Sequence, residues 1–421
     1  MTAAVLCAVR GAMETVVVQA LGLAPELTVT RRCADLAELL AAAAAGLGVV
    51  AVVSSDLPGV DREAVHHLHG SGVWVLVLAE VGPAERVERL GVDAVLLVSH
   101  AASGVAAQIG ALLDRAARGE LPGQAARRAR GGPQPDDPPA AEPRRRPGAT
   151  RPDGAVVAVW GPAGAPGRTT LAVNLAAELA VAATGGTLLV DADTYGGAVA
   201  PVLGLLDESP GIAAACRAAA AGRLDTVGLA ALTPQLGSGL RVLTGIGRAE
   251  RWPEVPGSSL EAVWSTARRL VGWTVVDTGF CLERDEVLSY DTRAPHRNGA
   301  TLSALVEADV VVVVGTGDPI GLQRLVRGLG DLSDVGVGAP RRVVVNRVRA
   351  SASGPRPAEA IREALSRYAG VSEVDLVPQD VVACDGALLA ARTLVEHAPS
   401  SPARRAVAAL AASLVAARRP A

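Results

Sequence analysis

A glycine- and proline-rich loop between an apolar run and a helical pattern is the feature that most constrains this sequence. The stretch Val156–Leu171 reads VVAVWGPAGAPGRTTL, so a predicted buried strand passes through a loop into a helix that begins with Arg-Thr-Thr. Backbone N–H groups of such a loop, followed by a helix N-terminus, form an anion-binding concavity. The pattern therefore predicts a phosphate site. The alternative is a glycine-rich turn between any buried strand and helix.

The second half of this loop matches the phosphate-binding pattern G-x-x-x-x-G-K-[ST]. Gly167, Thr169 and Thr170 fall in register with that pattern, whereas Pro162 replaces its first glycine and Arg168 replaces its lysine. The chain contains no lysine at all. Arginine at this position is therefore consistent with a general bias of the sequence.

Residues 1–120 alternate short Val/Leu-rich runs with Ala/Leu-rich helical patterns. Strict alternation of strands and helices predicts an α/β domain with a doubly wound parallel sheet. A helix over Ala102–Arg118 is predicted to close this domain. The predicted strands are Ala3–Val9, Glu26–Thr30, Val49–Ser54, Val73–Leu78 and Ala94–Val98.

The order of these elements, with a turn from Asp56 to Gly59, resembles a response-regulator receiver domain, whose fold is flavodoxin-like. The acids that give a receiver its chemistry are absent, because Ser54 stands at the phospho-acceptor position and residues 8–10 are Ala-Val-Arg. Without those carboxylates there is no Mg²⁺ site and no aspartyl phosphate. We interpret residues 1–120 as a degenerate receiver-like domain used for docking, with Asp56 as a displaced acceptor as the alternative.

Residues 121–152 are rich in Pro, Gly, Arg and Asp and contain almost no large aliphatic side chains. This composition cannot bury a core and predicts a flexible linker. A second domain is predicted over residues 153–421, in which apolar strands end in polar side chains. Because ligands bind at the carboxyl ends of parallel strands, we expect these side chains near the loop. They are Asp191, Asp193, Asp277, Asn346 and the segment Pro378–Asp380.

This ordered set of motifs resembles the MinD/ParA family of deviant-Walker P-loop ATPases, over residues 153 to about 400. The motifs are GRTT after the loop, then VDAD, VVDTG, VVVN-R and VPQD. With the receiver-like domain in front, the chain is similar to the CpaE/TadZ proteins of tight-adherence pilus assembly and to actinobacterial septum-site-determining relatives. The stretch Ser289–Pro295 is similar to that actinobacterial branch. The resemblance implies a doubly wound P-loop NTPase sheet that binds ATP and Mg²⁺.

The resemblance also implies a role for each matching residue. Thr169, Asp191 and Asp277 would hold Mg²⁺. Asp193 would position or deprotonate the attacking water, and Arg168 would act beside it on the phosphates. The residues expected to bind ATP are Gly164, Ala165, Pro166, Gly167, Arg168, Thr169 and Thr170 around the phosphates, and Asn346, Pro378 and Asp380 around the adenine.

Two positions depart from the family pattern. Arg168 replaces the phosphate-binding lysine, and Ala163 replaces a lysine that reaches the nucleotide of a dimer partner. A guanidinium is a broader, planar donor than an ammonium group. In other nucleotide hydrolases a charge-stabilising arginine contributes about 10³–10⁵ in rate, so the missing cation matters. We therefore predict a weak ATPase, and the resemblance implies that it forms a homodimer on ATP binding.

Composition limits the partners and the compartment. The net charge of −3 gives no reason to expect DNA as a partner. The five cysteines form no CxxC pair, and the N-terminus lacks the pattern of a signal peptide, so a cytoplasmic protein is expected. Apolar residues recur at helical spacing in Ser401–Arg419. The alternatives for this stretch are a last helix packed on the sheet and a weak peripheral contact with the inner face of the cell membrane.

Together these features predict a nucleotide-gated positioning ATPase that localises a pilus or secretion machinery through residues 1–120. One alternative is a septum-site or chromosome-partitioning regulator acting on division proteins. Another is a scaffold that does not hydrolyse ATP.

Overall fold

The computed structural model describes residues 2–124, 154–206, 209–237, 239–283 and 296–418. The chain divides into two compact units, one built mainly from its N-terminal residues together with Arg217–Leu224, and the other mainly from the rest. Nearly all of the predicted linker 121–152, and the stretch Ser289–Pro295, lie outside the described residues.

The N-terminal residues form a five-stranded parallel sheet of order β2-β1-β3-β4-β5, as in flavodoxin-like folds. This arrangement confirms the predicted fold class. The strands are β1 (Ala3–Ala8), β2 (Leu27–Arg32), β3 (Val50–Ser54), β4 (Trp74–Ala79) and β5 (Ala94–Leu97). The helices are α1 (Ala12–Gly22), α2 (Leu36–Ala44), α3 (Arg62–Gly70), α4 (Ala84–Arg89) and α5 (Ala101–Ala117), with a 3₁₀ turn at Val98–His100.

Helices cover both faces of this sheet, which explains why its central strands are apolar throughout. Leu6 and Ala8 of β1 pack in a cluster with α2, α3 and α4. Val5 and Cys7, which point the other way, pack in a cluster with α1 and α5. A strand buried on both faces reads as a continuous apolar run.

Ser54 lies at the carboxyl end of β3, where a receiver carries its acceptor acid. Its Oγ accepts a hydrogen bond of 2.9 Å from the Arg10 N–H. The Arg10 guanidinium donates to the Asp56 carbonyl oxygen at 3.2 Å, and the Asp56 side chain is 71% exposed. Within the described residues, no group of three or more His, Cys, Asp or Glu side chains is placed to hold a metal ion.

The side chain of Asp93, which directly precedes β5, is buried and serves as a shared hydrogen-bond acceptor. Its Oδ2 accepts a hydrogen bond from the Val75 N–H and lies 2.9 Å from His69 Nε2. Its Oδ1 accepts from the Gly123 N–H at 2.7 Å. Gly123, which falls in the predicted linker, is thus tied to the N-terminal sheet.

Replacing Asp93 by alanine should destabilise the N-terminal unit by about 3–5 kcal/mol, because two buried N–H groups and the His69 ring lose their partner together. Hydrogen exchange of β4 amides in the full-length protein measures this loss. The matched control is Asp56→Ala, an exposed acid whose removal should change the exchange by less than about 0.5 kcal/mol. Equal protection in the two variants would contradict the assignment.

The chain from residue 154 onward forms an eight-stranded sheet of order β13-β12-β11-β6-β10-β7-β9-β8. Neighbouring strands pair in parallel, except that β8 is antiparallel to β9. The sheet confirms the predicted doubly wound α/β class. The strands are β6 (Ala155–Trp160), β7 (Thr187–Ala192), β8 (Gln235–Leu236), β9 (Leu240–Leu243), β10 (Trp273–Thr278), β11 (Val310–Thr316), β12 (Arg341–Val348) and β13 (Val374–Pro378).

Helices and one 3₁₀ turn, Ala249–Glu254, connect these strands. The helices are α6 (Arg168–Ala182), α7 (Val199–Val202), α8 (Gly211–Ala220), α9 (Thr226–Ala231), α10 (Gly257–Leu270), α11 (Gly299–Glu307), α12 (Pro319–Asp334), α13 (Ala350–Ser353), α14 (Pro357–Ala369), α15 (Val381–Leu389), α16 (Leu394–His397) and α17 (Pro402–Arg418).

The C-terminal helix α17 packs on the sheet rather than presenting its apolar side to solvent. Val407, Leu410 and Leu414 are buried in the same core as α6. Arg404 pairs with the buried Glu178 of α6 at 2.6 Å. Of the two alternatives for this stretch, the structure shows the packed helix. No helix in the described part of the chain is long and apolar enough to cross a membrane.

Candidate functional site

The loop from Gly161 to Gly167 joins β6 to α6 at the carboxyl edge of the large sheet. Gly164, Ala165 and Gly167 have φ values of 111°, 50° and 92°. Backbone in this region turns successive peptide groups into an anion-binding nest, and it strains a residue with a side chain such as Ala165. Within the described residues, the N–H groups of Ala163, Gly164, Ala165 and Gly167 make no backbone hydrogen bond. The loop therefore offers unpaired donors to a phosphate.

Close packing holds this loop in place. A side chain at Gly161 would overlap the Val314 carbonyl of the neighbouring strand β11, so only glycine fits there. The Asn346 Nδ2 donates to the Pro166 carbonyl oxygen at 3.0 Å, and the missing side chain of Gly167 makes room for that amide. Asn346, expected at the adenine, thus also fixes the loop.

Arg168 ties the loop to the ends of the neighbouring strands. Its Nε donates to the Thr278 carbonyl oxygen at 3.2 Å. Its Nη1 donates to the carbonyl oxygens of Gly161 and Pro162 at 3.2 and 3.4 Å. Its Nη2 lies 3.5 Å from Asp193 Oδ2. A guanidinium has five N–H donors, so most of its hydrogen-bonding capacity is already used within the protein.

Asp277 is fully buried at the end of β10, and neither of its carboxylate oxygens has a hydrogen-bond partner in the described structure. Burial raises its pKa well above the ordinary range, and the nearby Asp191 and Asp193 act in the same direction. The Thr169 hydroxyl and the Arg168 guanidinium act to lower that pKa. A buried carboxylate without donors is unfavourable unless a cation meets it. These residues fit Mg²⁺ at Asp277 and Thr169.

Asp191 lies beside Asp277, because β7 and β10 pair with these two residues in register. Its Oδ2 accepts from the Val199 N–H at 3.0 Å and its Oδ1 accepts from the Asp193 N–H at 3.2 Å. Burial raises the pKa of Asp191 to about 7. Asp193 in turn accepts from the Tyr195 N–H at 2.9 Å. Both acids thus shape the loop after β7, and a metal role for Asp191 stays a prediction.

A cavity of about 630 Å³ opens on one side of the loop, within the size range of small-molecule sites. Asp380 Oδ2 is buried there without a partner among the described residues. Three arginines also line the cavity: Arg347, which ends the VVVN-R motif, and Arg349 and Arg392, which no motif includes. Among its lining residues are the predicted Gly167, Thr170, Asn346, Pro378 and Asp380.

The loops that follow β7 and β10 are joined by a contact that the sequence did not indicate. The Tyr195 hydroxyl donates to Asn298 Oδ1 at 2.8 Å, and Asn298 Nδ2 lies 3.3 Å from Cys281 Sγ. The Arg297 guanidinium lies 3.9 Å from the centre of the Tyr195 ring.

Several solved structures are similar to this chain in architecture. A ParA family ATPase from Chlorobium tepidum is similar with a TM-score of 0.51 and 18% identity, covering 62% of this chain and 99% of that chain. The covered part of the chain therefore shares the fold of that protein. The cell division ATPase MinD from Pyrococcus furiosus is similar with a TM-score of 0.49 and 19% identity, covering 63% and 99%. No protein-family model and no curated protein matches this sequence.

Proposed function

We propose that this chain is a positioning ATPase that binds ATP with Mg²⁺, hydrolyses it slowly and forms a homodimer in the ATP-bound state. The observation that carries the proposal is the buried Asp277 carboxylate, which makes no hydrogen bond of good geometry among the described residues and has the Thr169 hydroxyl beside it. A phosphate loop with unpaired N–H groups adjoins it on the same sheet edge.

In this proposal the loop N–H groups bind the phosphates, and the cavity beside Asn346 takes the adenosine. Thr169 and Asp277 hold Mg²⁺, which would neutralise phosphate charge. Asp193 lies against Arg168, so it is placed to orient a water molecule at the end of the phosphate chain.

Slow hydrolysis follows from the charges at the loop. The Arg168 guanidinium is held by three carbonyl oxygens and Asp193, and Ala163 supplies no cation. Stabilisation of the charge that develops on the transferred phosphoryl group is the main catalytic contribution in this class of reaction. A site with fewer available cations is therefore expected to turn over slowly.

We propose that the N-terminal unit binds the partner assembly. Its flavodoxin-like sheet carries Ser54 and Arg10 at the edge where a receiver has its acids, so it is suited to binding rather than phosphotransfer. The resemblance to CpaE/TadZ proteins makes a pilus or secretion assembly the proposed partner. Division proteins are the alternative partner.

Calorimetry of the full-length protein with ATP and ADP, each with and without Mg²⁺, tests the nucleotide site. We expect binding that requires Mg²⁺, and a dimer by light scattering only with ATP and Mg²⁺. The control is Thr169→Val, which removes the hydroxyl while keeping the side-chain shape. Absence of binding by either nucleotide in the presence of Mg²⁺ would contradict the proposal and favour the scaffold alternative.

A further inference from the structure

Arg324 lies over the phosphate loop, although no motif includes it. It belongs to α12, which follows β11. A side chain at Gly164 would overlap the Arg324 guanidinium, with its Cβ 3.2 Å from Arg324 Cζ. The guanidinium therefore fills the space that the absence of a side chain at Gly164 leaves open.

The approach of α12 to the loop is fixed by close packing. A Cβ at Gly328 would lie 3.0 Å from the Trp160 ring and 3.4 Å from the Pro162 side chain, so the helix backbone is in tight contact there. Leu325 is fully buried and anchors the same helix. Residues 324 and 328 share one face of the helix, so this packing directs Arg324 toward the loop.

Arg324 is a cation available for a ligand. It is exposed and forms no hydrogen bond or ion pair within the part of the chain that the structure describes. Arg168, by contrast, makes four such contacts inside the protein. Because Asp191 and Asp277 add negative charge to the site, a bound triphosphate needs a further positive group.

The cavity proposed for the adenosine indicates in which direction the phosphate chain of a bound nucleotide runs along the loop. Gly167 and Thr170 line this cavity, and Gly164 is not among its described lining residues. With the base in the cavity, the phosphate chain runs along the loop away from Thr170, and its end lies toward Gly164. We propose that Arg324 binds the terminal phosphate of ATP held by its own chain. This assignment rests on the proposed function.

Binding of ATP and ADP to Arg324→Ala, measured by calorimetry with Mg²⁺, tests the assignment. We expect ATP affinity to fall by about 10- to 100-fold, as for a lost hydrogen-bonded charge pair, while ADP affinity stays within about twofold. Arg324→Lys should recover part of the loss. The matched control is Arg327→Ala, which removes the same charge from the same helix and should bind both nucleotides like the wild type.

Each alternative outcome has a separate meaning. Unchanged ATP affinity in Arg324→Ala, or an equal loss for ATP and ADP, would overturn the terminal-phosphate role and leave the ATPase proposal standing. An equal loss in Arg327→Ala would show a general charge effect and would also overturn it. If the wild-type protein bound neither nucleotide, the proposed function itself would fail, and this inference with it.

Discussion

Replacing Asp277 by asparagine should abolish Mg²⁺-dependent nucleotide binding and also stabilise the nucleotide-free protein at pH 8. The carboxylate is fully buried and makes no hydrogen bond of good geometry among the described residues, so its charge is unfavourable until a cation is present. Asparagine keeps the size and removes the charge. A site residue whose neutral replacement raises stability is one selected for binding rather than for folding.

The raised pKa values of the buried acids determine whether the free energy of unfolding rises or falls with pH. Burial raises the pKa of Asp191 to about 7 and that of Asp277 well above its ordinary value. Between the ordinary and the raised pKa the folded chain binds more protons than the unfolded chain. The free energy of unfolding contributed by these groups therefore decreases as the pH rises from about 4 to about 7.

Thermal unfolding without nucleotide at pH 5 and pH 8 measures both effects. At pH 8 we expect Asp277→Asn to be more stable than the wild type, and at pH 5 the difference should shrink. The control is Asp56→Asn, an exposed acid of the N-terminal unit. A variant that is less stable than the wild type at both pH values, or that binds ATP and Mg²⁺ normally, would refute this role.

Replacing Arg168 by alanine should weaken ATP binding by about 100-fold or more and also destabilise the fold by about 1–3 kcal/mol. Its guanidinium donates to the carbonyl oxygens of Thr278, Gly161 and Pro162, which would lose their donor. Asp193 would lose its ion pair close to two other acids. Calorimetry and chemical unfolding measure the two losses on the same sample.

Two variants sharpen the Arg168 experiment. Arg168→Lys keeps the charge as a compact ammonium group, so ATP affinity should stay within about tenfold of the wild type. Arg356→Ala removes an exposed arginine that pairs with Glu359 at 3.0 Å on the surface, and it should change neither quantity. Wild-type ATP affinity in Arg168→Ala would rule out a phosphate role for this side chain.

The strands of both sheets follow from the sequence because each is a short apolar run bounded by turn residues. The run predicted at Val49–Ser54 is strand Val50–Ser54, and the one predicted at Ala94–Val98 is strand Ala94–Leu97. The pair Gln235–Leu236 and Leu240–Leu243 was missed, since each run is too short to stand out. Such short strands form because a neighbouring strand of the sheet supplies hydrogen-bond partners.

The candidate site is likewise predictable from the sequence only in part. The phosphate loop and the strand-end acids were predicted, because each is a contiguous pattern and parallel strands align their carboxyl ends. The contact of Asn346 with Pro166 joins residues 180 positions apart, and that of Tyr195 with Asn298 joins residues 103 apart. No local pattern encodes such contacts.

The amino-acid sequence is sufficient to predict two α/β sheets, a phosphate-type loop with arginine in place of lysine, and acids at the adjoining strand ends. These are local properties of hydrophobic pattern, turn residues and motif spacing. Three features require the folded chain: strand-end carbonyl oxygens accept from Arg168, Asp277 makes no hydrogen bond of good geometry among the described residues, and Arg324 covers Gly164. The physical reason is that burial and charge depend on which distant segments pack together, and that is settled by the folded chain as a whole.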